Sequence, residues 1–151
     1  MSKDSAFPFE NYISINKQML SVINFNYEIL GIQRRRPGLQ DEDEFGLSMH
    51  QLKEEISEIE DAYEKEDFIA VLDGLIDLEY FLLGIFYKNG INESTHAELF
   101  DAVHQANMLK KMGTKKGREG FDAADAVKPD SWTNPEIKFA RILDRVSQRG
   151  S

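Results

Sequence analysis

The chain predicts an all-α protein, a bundle of about five helices. Three observations carry the prediction: apolar residues recur at helical spacing through most of its length, no segment alternates as a half-buried strand would, and the breaks between periodic segments hold helix caps and helix stops. A first helix is expected from about Tyr12 to Ile32, with Tyr12, Met19, Ile23 and Leu30 among its apolar positions. It should end before Arg34-Arg35-Arg36-Pro37-Gly38, because proline and glycine interrupt helices. A second helix is expected from about Phe45 to Lys65 and a third from about Asp67 to Tyr87. The third is apolar on nearly every side, which predicts a central helix covered on several faces and closed at Asn89-Gly90 by a left-handed cap. A fourth is expected from Thr95, where Thr-His-Ala-Glu98 has capping-box form, to Met112-Gly113. Gly113 to Thr133 reads as a long functional loop. Asn134 as N-cap and Pro135 at the first helical position then open a last helix, which is expected to reach over a neighbour.

With 151 residues, 41% of them apolar, the chain suffices for one domain, with a core over about 12–112 and a loop and helix over 113–151. The absence of cysteine excludes disulfides and thiolate metal sites and fits a reducing compartment such as the cytoplasm. Residues 1–10 lack the apolar stretch of a signal peptide and no run of about 20 apolar residues exists, so a soluble protein without a membrane partner is expected. The net charge of −9 argues against nucleic-acid binding through the overall field. Its distribution is uneven. Lys110, Lys111, Lys115, Lys116 and Arg118 cluster, while acids concentrate between Asp41 and Glu79. A metal-chelated polyphosphate needs both kinds of surface; two solvated faces account for them equally well.

On the second helix Leu52, Ile56, Ile59 and Tyr63 mark the expected buried stripe, with Glu54, Glu55 and Glu58 to one side. At about 100° per residue, Glu55 falls about 60° and Glu58 about 120° from the stripe's centre, within reach of a site at the core's edge. These acids repel one another unless a cation gathers them, although acidic runs on exposed helix faces are common. The third helix sets Asp73 and Asp77 on one face of an apolar segment, where carboxylates require a cation, a salt bridge or several hydrogen bonds. No lysine or arginine lies between Asp67 and Tyr87 to pair with them locally. An antiparallel turn at Lys65-Glu66-Asp67 would bring both acidic edges together around Mg²⁺; distant Lys or Arg is the alternative. On the fourth helix His96, Phe100, Val103, Asn107 and Lys110 share a stripe, so that two strongly polar residues stand on a face expected to enter the core. Either the core opens into a site there, or Lys110 snorkels and Asn107 caps. His50, His96 and His104 lack metal-ligand spacing and read as structural or surface residues.

Taken together these residues resemble the all-α NTP pyrophosphohydrolase superfamily, the group of MazG, the dimeric dUTPases and phosphoribosyl-ATP pyrophosphohydrolase. The resemblance covers about Phe25 to Ile142 and rests on order and spacing: Arg36-Pro37, then Glu54-Glu55-Ile56-Ser57-Glu58 in place of EExxE, then DGLIDLEYFLLG, then FDAVHQANMLKK. Lys128-Pro129-Asp130-Ser131-Trp132 is similar to a KPxxW stretch of the phosphoribosyl-ATP-pyrophosphohydrolase-like and phage MazG-like branch. The resemblance implies that Glu55, Glu58 and Asp77 bind Mg²⁺, which Mn²⁺ could replace, with Glu54 as a further ligand or base. It implies that Asn107 and Lys110 contact the substrate's sugar and phosphates, with Lys111 and Lys128 as further phosphate candidates. Trp132 would stack on a base or anchor packing. Where the family has ExxD, this chain has Gly74 three residues before Asp77. Asp73 is then expected to take the missing ligand's part, and Gly74→Glu would restore part of the activity lost in Asp73→Asn.

The activity implied is Mg²⁺-dependent hydrolysis of a nucleoside triphosphate to monophosphate and pyrophosphate, a house-cleaning reaction on the nucleotide pool. Phosphoribosyl-ATP is the alternative substrate, and a non-catalytic, acidic, metal-binding helical protein is the alternative class. The apolar third helix and the resemblance together imply a homodimer or homotetramer.

Overall fold

The computed structural model describes residues 12–34, 36–113 and 125–149. Among them are five helices, α1 (Tyr12–Glu28), α2 (Glu42–Glu64), α3 (Phe68–Lys88), α4 (Glu93–Met108) and α5 (Glu136–Arg149), and one antiparallel ribbon of β1 (Lys111–Gly113) and β2 (Asp125–Val127). The all-α expectation holds. No helix of the described residues is long and apolar enough to cross a membrane. By their contacts the residues form two compact units, Met1–Ser94 and Thr95–Ser151.

In the first unit α3 packs against both α1 and α2. Helix α1 stops at Glu28, short of Ile32, because Gly31 takes φ +66° and the Ile32 N–H turns back onto the Asn26 carbonyl. Asp41 caps α2, its side chain accepting from the Glu44 N–H, and Glu42, Asp43 and Glu44 suit the positive end of the helix. Asp67 caps α3 by accepting from the Ala70 N–H. Its own N–H bonds the Ala62 carbonyl and closes a three-residue turn, so α2 and α3 form an antiparallel hairpin. Met19, Val22, Leu83 and Tyr87 form the buried core, with Ile23, Ile32 and Phe86 against it.

The segment before α2 is tied down by polar groups. The Gly38 N–H donates to the Asn89 carbonyl, the Gln40 N–H to Asn89 Oδ1, and Gln40 Nε2 to Ser48 Oγ. Arg34 Nη2 donates to both carboxylate oxygens of Glu44 at 2.9 Å. Gly90 carries the left-handed cap at φ +77°, and a Cβ there would run into the Arg36 carbonyl.

Two expectations about packing change. Of the expected α2 stripe Leu52 and Ile59 stay half-buried, on an inward line with Ser48, Glu55 and Ala62, whereas Tyr63 is 76% exposed and Ile56 is exposed. Small residues enter where helices approach closely, so Glu55 lies on the inward line itself. Helix α3 is also less covered than its composition predicts: only Gly74, Leu83, Gly84 and Tyr87 are buried, while Ile69, Leu72 and Ile76 stand exposed on one stripe.

Helix α4 begins at Glu93, ahead of the expected capping box, so all but its first two residues belong to the second unit, and Thr95 is buried within its first turn. Of the expected stripe His96 is buried but Phe100, Val103 and Asn107 are exposed, and the buried line runs through Thr95, Leu99, Ala102 and Ala106. Asn107 and Lys110 are therefore not polar intruders on a core face, and Lys110 lies beyond the helix. The ribbon pairs Lys111 with Val127, Met112 with Ala126 and Gly113 with Asp125. Asn134 caps α5 as expected, its side chain accepting from the Glu136 N–H at 3.1 Å. Helices α4 and α5 run antiparallel, bridged by Lys138 to Gln105 and by Arg145 to Glu98.

Candidate active site

The hairpin of α2 and α3 leaves a groove of about 280 Å³ whose charged lining is Glu58, Asp61, Lys65, Asp67, Asp73 and Asp77. It exists because α3 comes close to α2 at Gly74: a Cβ there would lie 2.7 Å from Ile59 Cγ1. Four of the five acids picked out from sequence meet at or beside this groove, Glu55 from the inward line of α2 and Glu58, Asp73 and Asp77 along the groove itself.

Glu55 has the most constrained carboxylate. Its Oε2 is inaccessible to solvent, and among the described residues nothing donates to it. Burial raises the carboxyl above its ordinary value, and the charges of Glu58, Asp77, Glu54 and Asp73, in that order, raise it further. Asp73 and Asp77, expected to carry the burial cost, are instead open to solvent in this chain. That cost falls on Glu55. Glu54 lies further round the helix, exposed, with its carboxylate 3.2 Å from His50 Nε2.

Arg34 pairs with Glu44 and Arg145 with Glu98, and among the described residues no Lys or Arg pairs with Glu55, Glu58, Asp73 or Asp77. Lys65, at the hairpin end of the groove, pairs with none of the four. As the side chains stand, no three His, Asp or Glu groups of the described residues converge on one point at metal-ligand distance. The donor set is all carboxylate oxygen, which suits a hard divalent cation, and the unsatisfied Glu55 oxygen is the kind of group such a cation satisfies. Asp61 and Asp67 were not anticipated in the groove. Asp61 follows Glu58 at i+3 on the same helix face, which was a usable signal; Asp67 acts in sequence only as a cap.

Gly74 alters the expectation for the missing acid. Gly74 lines the groove but is buried against Ile59, so a glutamate there would press its Cβ to 2.7 Å from Ile59 Cγ1 and strain the approach of α2 and α3. Asp73, one residue earlier, points its carboxylate into the groove lining without that obstruction.

The remaining candidates belong to the second unit. Asn107 is exposed on the last turn of α4, and Lys111 is exposed on β1. The indole N–H of Trp132 donates to the Ala106 carbonyl at 2.8 Å, while Lys128 Nζ lies 4.1 Å and Lys110 Nζ 5.8 Å from its ring centre. Those contacts make Trp132 an anchor of its own unit. Lys115, Lys116 and Arg118 lie outside the described residues.

A family model described as phosphoribosyl-ATP pyrophosphohydrolase matches residues 32–107. No curated protein matches the chain.

Proposed function

Because the chain belongs to the phosphoribosyl-ATP pyrophosphohydrolase family, a family of pyrophosphohydrolases acting on acid anhydrides, we propose that it hydrolyses the α–β phosphoanhydride of a nucleotide in a Mg²⁺-dependent reaction. A nucleoside triphosphate is the proposed substrate, giving monophosphate and pyrophosphate. The observation that carries the reading is the solvent-inaccessible, unsatisfied Glu55 oxygen, in a carboxyl that the charges of Glu58, Asp77, Glu54 and Asp73 help to raise, beside a groove lined by Glu58, Asp73 and Asp77. Glu55, Glu58, Asp73 and Asp77 would hold Mg²⁺. A bound divalent cation lowers the pKa of a coordinated water and offsets charge on the phosphates. Glu54, exposed with its carboxylate 3.2 Å from His50 Nε2, would be a further ligand or the base that accepts a proton from that water. Asn107, Lys110 and Lys111 supply the donors and cations that a sugar-phosphate substrate requires.

Phosphoribosyl-ATP is a second substrate reading, favoured by the description of the matched family. It contains the same anhydride. Pyrophosphate release measured against NTPs, dNTPs and phosphoribosyl-ATP, with Mg²⁺ and with chelator, separates the two; no release from any substrate with Mg²⁺ present overturns both. The exposed apolar stripe Ile69, Leu72 and Ile76 supports a homodimer or homotetramer, and light scattering at the monomer mass of 17.3 kDa would exclude it. A cysteine-free chain suits the reducing cytoplasm as its place of action.

A further inference from the structure

The second unit holds a cavity larger than the acidic groove. It measures about 660 Å³, within the range of small-molecule sites, and Ala102, Ala106, Leu109, Pro135 and Ile137 give it an apolar wall. Its origin lies in the side chains between α4 and α5. Lys138 Nζ donates to Gln105 Oε1 at 2.8 Å, so two long side chains meet end to end across the gap, while the alanines of α4 are too small to fill the space beside them. Charge sets the cavity apart as well: in a chain of net charge −9 it is lined by two cations, Lys138 and Arg141, and by no carboxylate. Glu98 and Asp101 line an adjoining cavity that shares both cations, but Glu98 is paired with Arg145 and Asp101 accepts from Gln105 Nε2 at 2.7 Å. The amides of the lining are engaged too. Gln105 bonds both Lys138 and Asp101, and Asn134 donates to and accepts from Glu136. Arg141 differs, since among the described residues no carboxylate pairs with it.

An apolar wall beside a guanidinium selects an amphipathic anion, and the count of charges selects one of low valence. The guanidinium fork meets a carboxylate with two parallel hydrogen bonds. A phosphate monoester carries about two negative charges near neutral pH and would find one cation here without a protein partner. We propose that this cavity is a binding site for a small organic monocarboxylate, with its carboxylate on Arg141 and its hydrocarbon body against the apolar wall. The site belongs to the second unit alone and does not rest on the function proposed above.

The test is calorimetric titration of the full chain with octanoate and with octanol, which share a hydrocarbon body and differ in charge. Octanoate should bind saturably and octanol about tenfold more weakly, the scale of one charge-assisted contact. Arg141→Gln should weaken octanoate by about tenfold and leave octanol unchanged, while Ile137→Ser should weaken both by about threefold by removing part of the apolar wall. Both residues are exposed, so neither change removes a core contact. Should Arg141→Gln nonetheless fail to fold, octanoate against octanol on the parent chain carries the test. Amide chemical shifts that move with octanoate should lie on α4 and the start of α5. Octanol binding as tightly as octanoate, or Arg141→Gln keeping the parent affinity for octanoate, overturns the carboxylate assignment. No saturable heat, or shifts confined to the exposed α3 stripe of Ile69, Leu72 and Ile76, overturns the site. None of these readouts depends on turnover of a nucleotide, so the site and the proposed hydrolysis fail separately.

Discussion

Gly74→Ala is the most direct probe of how the groove is built. An added Cβ would lie 2.7 Å from Ile59 Cγ1 and 3.6 Å from Ile59 Cδ1. Carbon atoms prefer separations of about 3.5–4.0 Å, so the first contact is short by about 1 Å. Isoleucine on a helix is held almost entirely in one χ1 rotamer, and Cγ1 cannot swing aside as the end of a long chain would. The hairpin must open or Ile59 must leave its rotamer, at the usual overpacking cost of about 1–3 kcal/mol. Against this, replacing glycine by alanine inside a helix gains about 1 kcal/mol of propensity. The contact outweighs the propensity, and a net loss of about 1 kcal/mol is expected, read as a melting point lower by about 2–4 °C at this chain length. In an Ile59→Ala background Cγ1 is gone, and the same substitution should then stabilise. Urea denaturation of both singles and the double gives the coupling, expected at about 1–3 kcal/mol. Equal stabilisation by Gly74→Ala in both backgrounds would refute the close contact. The same geometry reverses the expectation drawn from sequence for Gly74→Glu: it should not rescue Asp73→Asn, because the longer side chain separates the helices that bring the carboxylates together.

The raised carboxyl of Glu55 gives stability that is full below about 4.3, the ordinary glutamate value, and is lost as pH rises through the raised folded-state value. In chelator at neutral pH, Glu55→Gln should therefore be more stable than the parent and inactive; a less stable variant would contradict the repulsion. Mg²⁺ at about 100 times its Kd should stabilise the protein by about 2.7 kcal/mol, and calorimetry should show that shift lost with turnover in Glu55→Ala, Glu58→Ala and Asp77→Ala. Asp73→Asn should lose most turnover and weaken Mg²⁺, and unchanged kinetics would make Asp73 a structural acid. Burial lowers the His96 pKa, so its contribution is complete above about 6.5 and falls as pH drops through the lower folded value. His96→Gln should flatten that acid limb in thermal melts taken between neutral pH and pH 5, and an unchanged limb would assign it to other groups.

The helices of the first unit were legible where their breaks are local chemistry, Asn89-Gly90 as a left-handed cap and Pro37 with Gly38 as a break, whereas the stop at Gly31 lay inside the helix expected to run to Ile32. The facing acids were legible too, since a three-residue turn forces Glu58 and Asp73 together. Phase was harder to read. In α2 and α4 the large apolar residues suggested stripes through Tyr63 and Phe100, yet the lines turned inward run through Ser48 and Ala62 and through Ala102 and Ala106. Close helix approach selects small residues, and an apolar count gives them little weight. The ribbon left no trace in the sequence, because three residues a side are too few to show alternation and the pairing spans residues far apart in the chain.

Residues 36–40 hold a proline and a glycine, a composition that would mark the first place for a chain to open. Their amides are not those of a surface loop. Gly38 and Gln40 both donate to Asn89, at the far end of α3, and Gln40 reaches on to Ser48 inside α2. Hydrogen exchange at these two amides thus waits on release of the α3 terminus, and a protease cutting here meets a segment with the opening free energy of the helices it joins. The stretch should tolerate no insertion. It behaves thermodynamically as part of the hairpin, though it contains no helix.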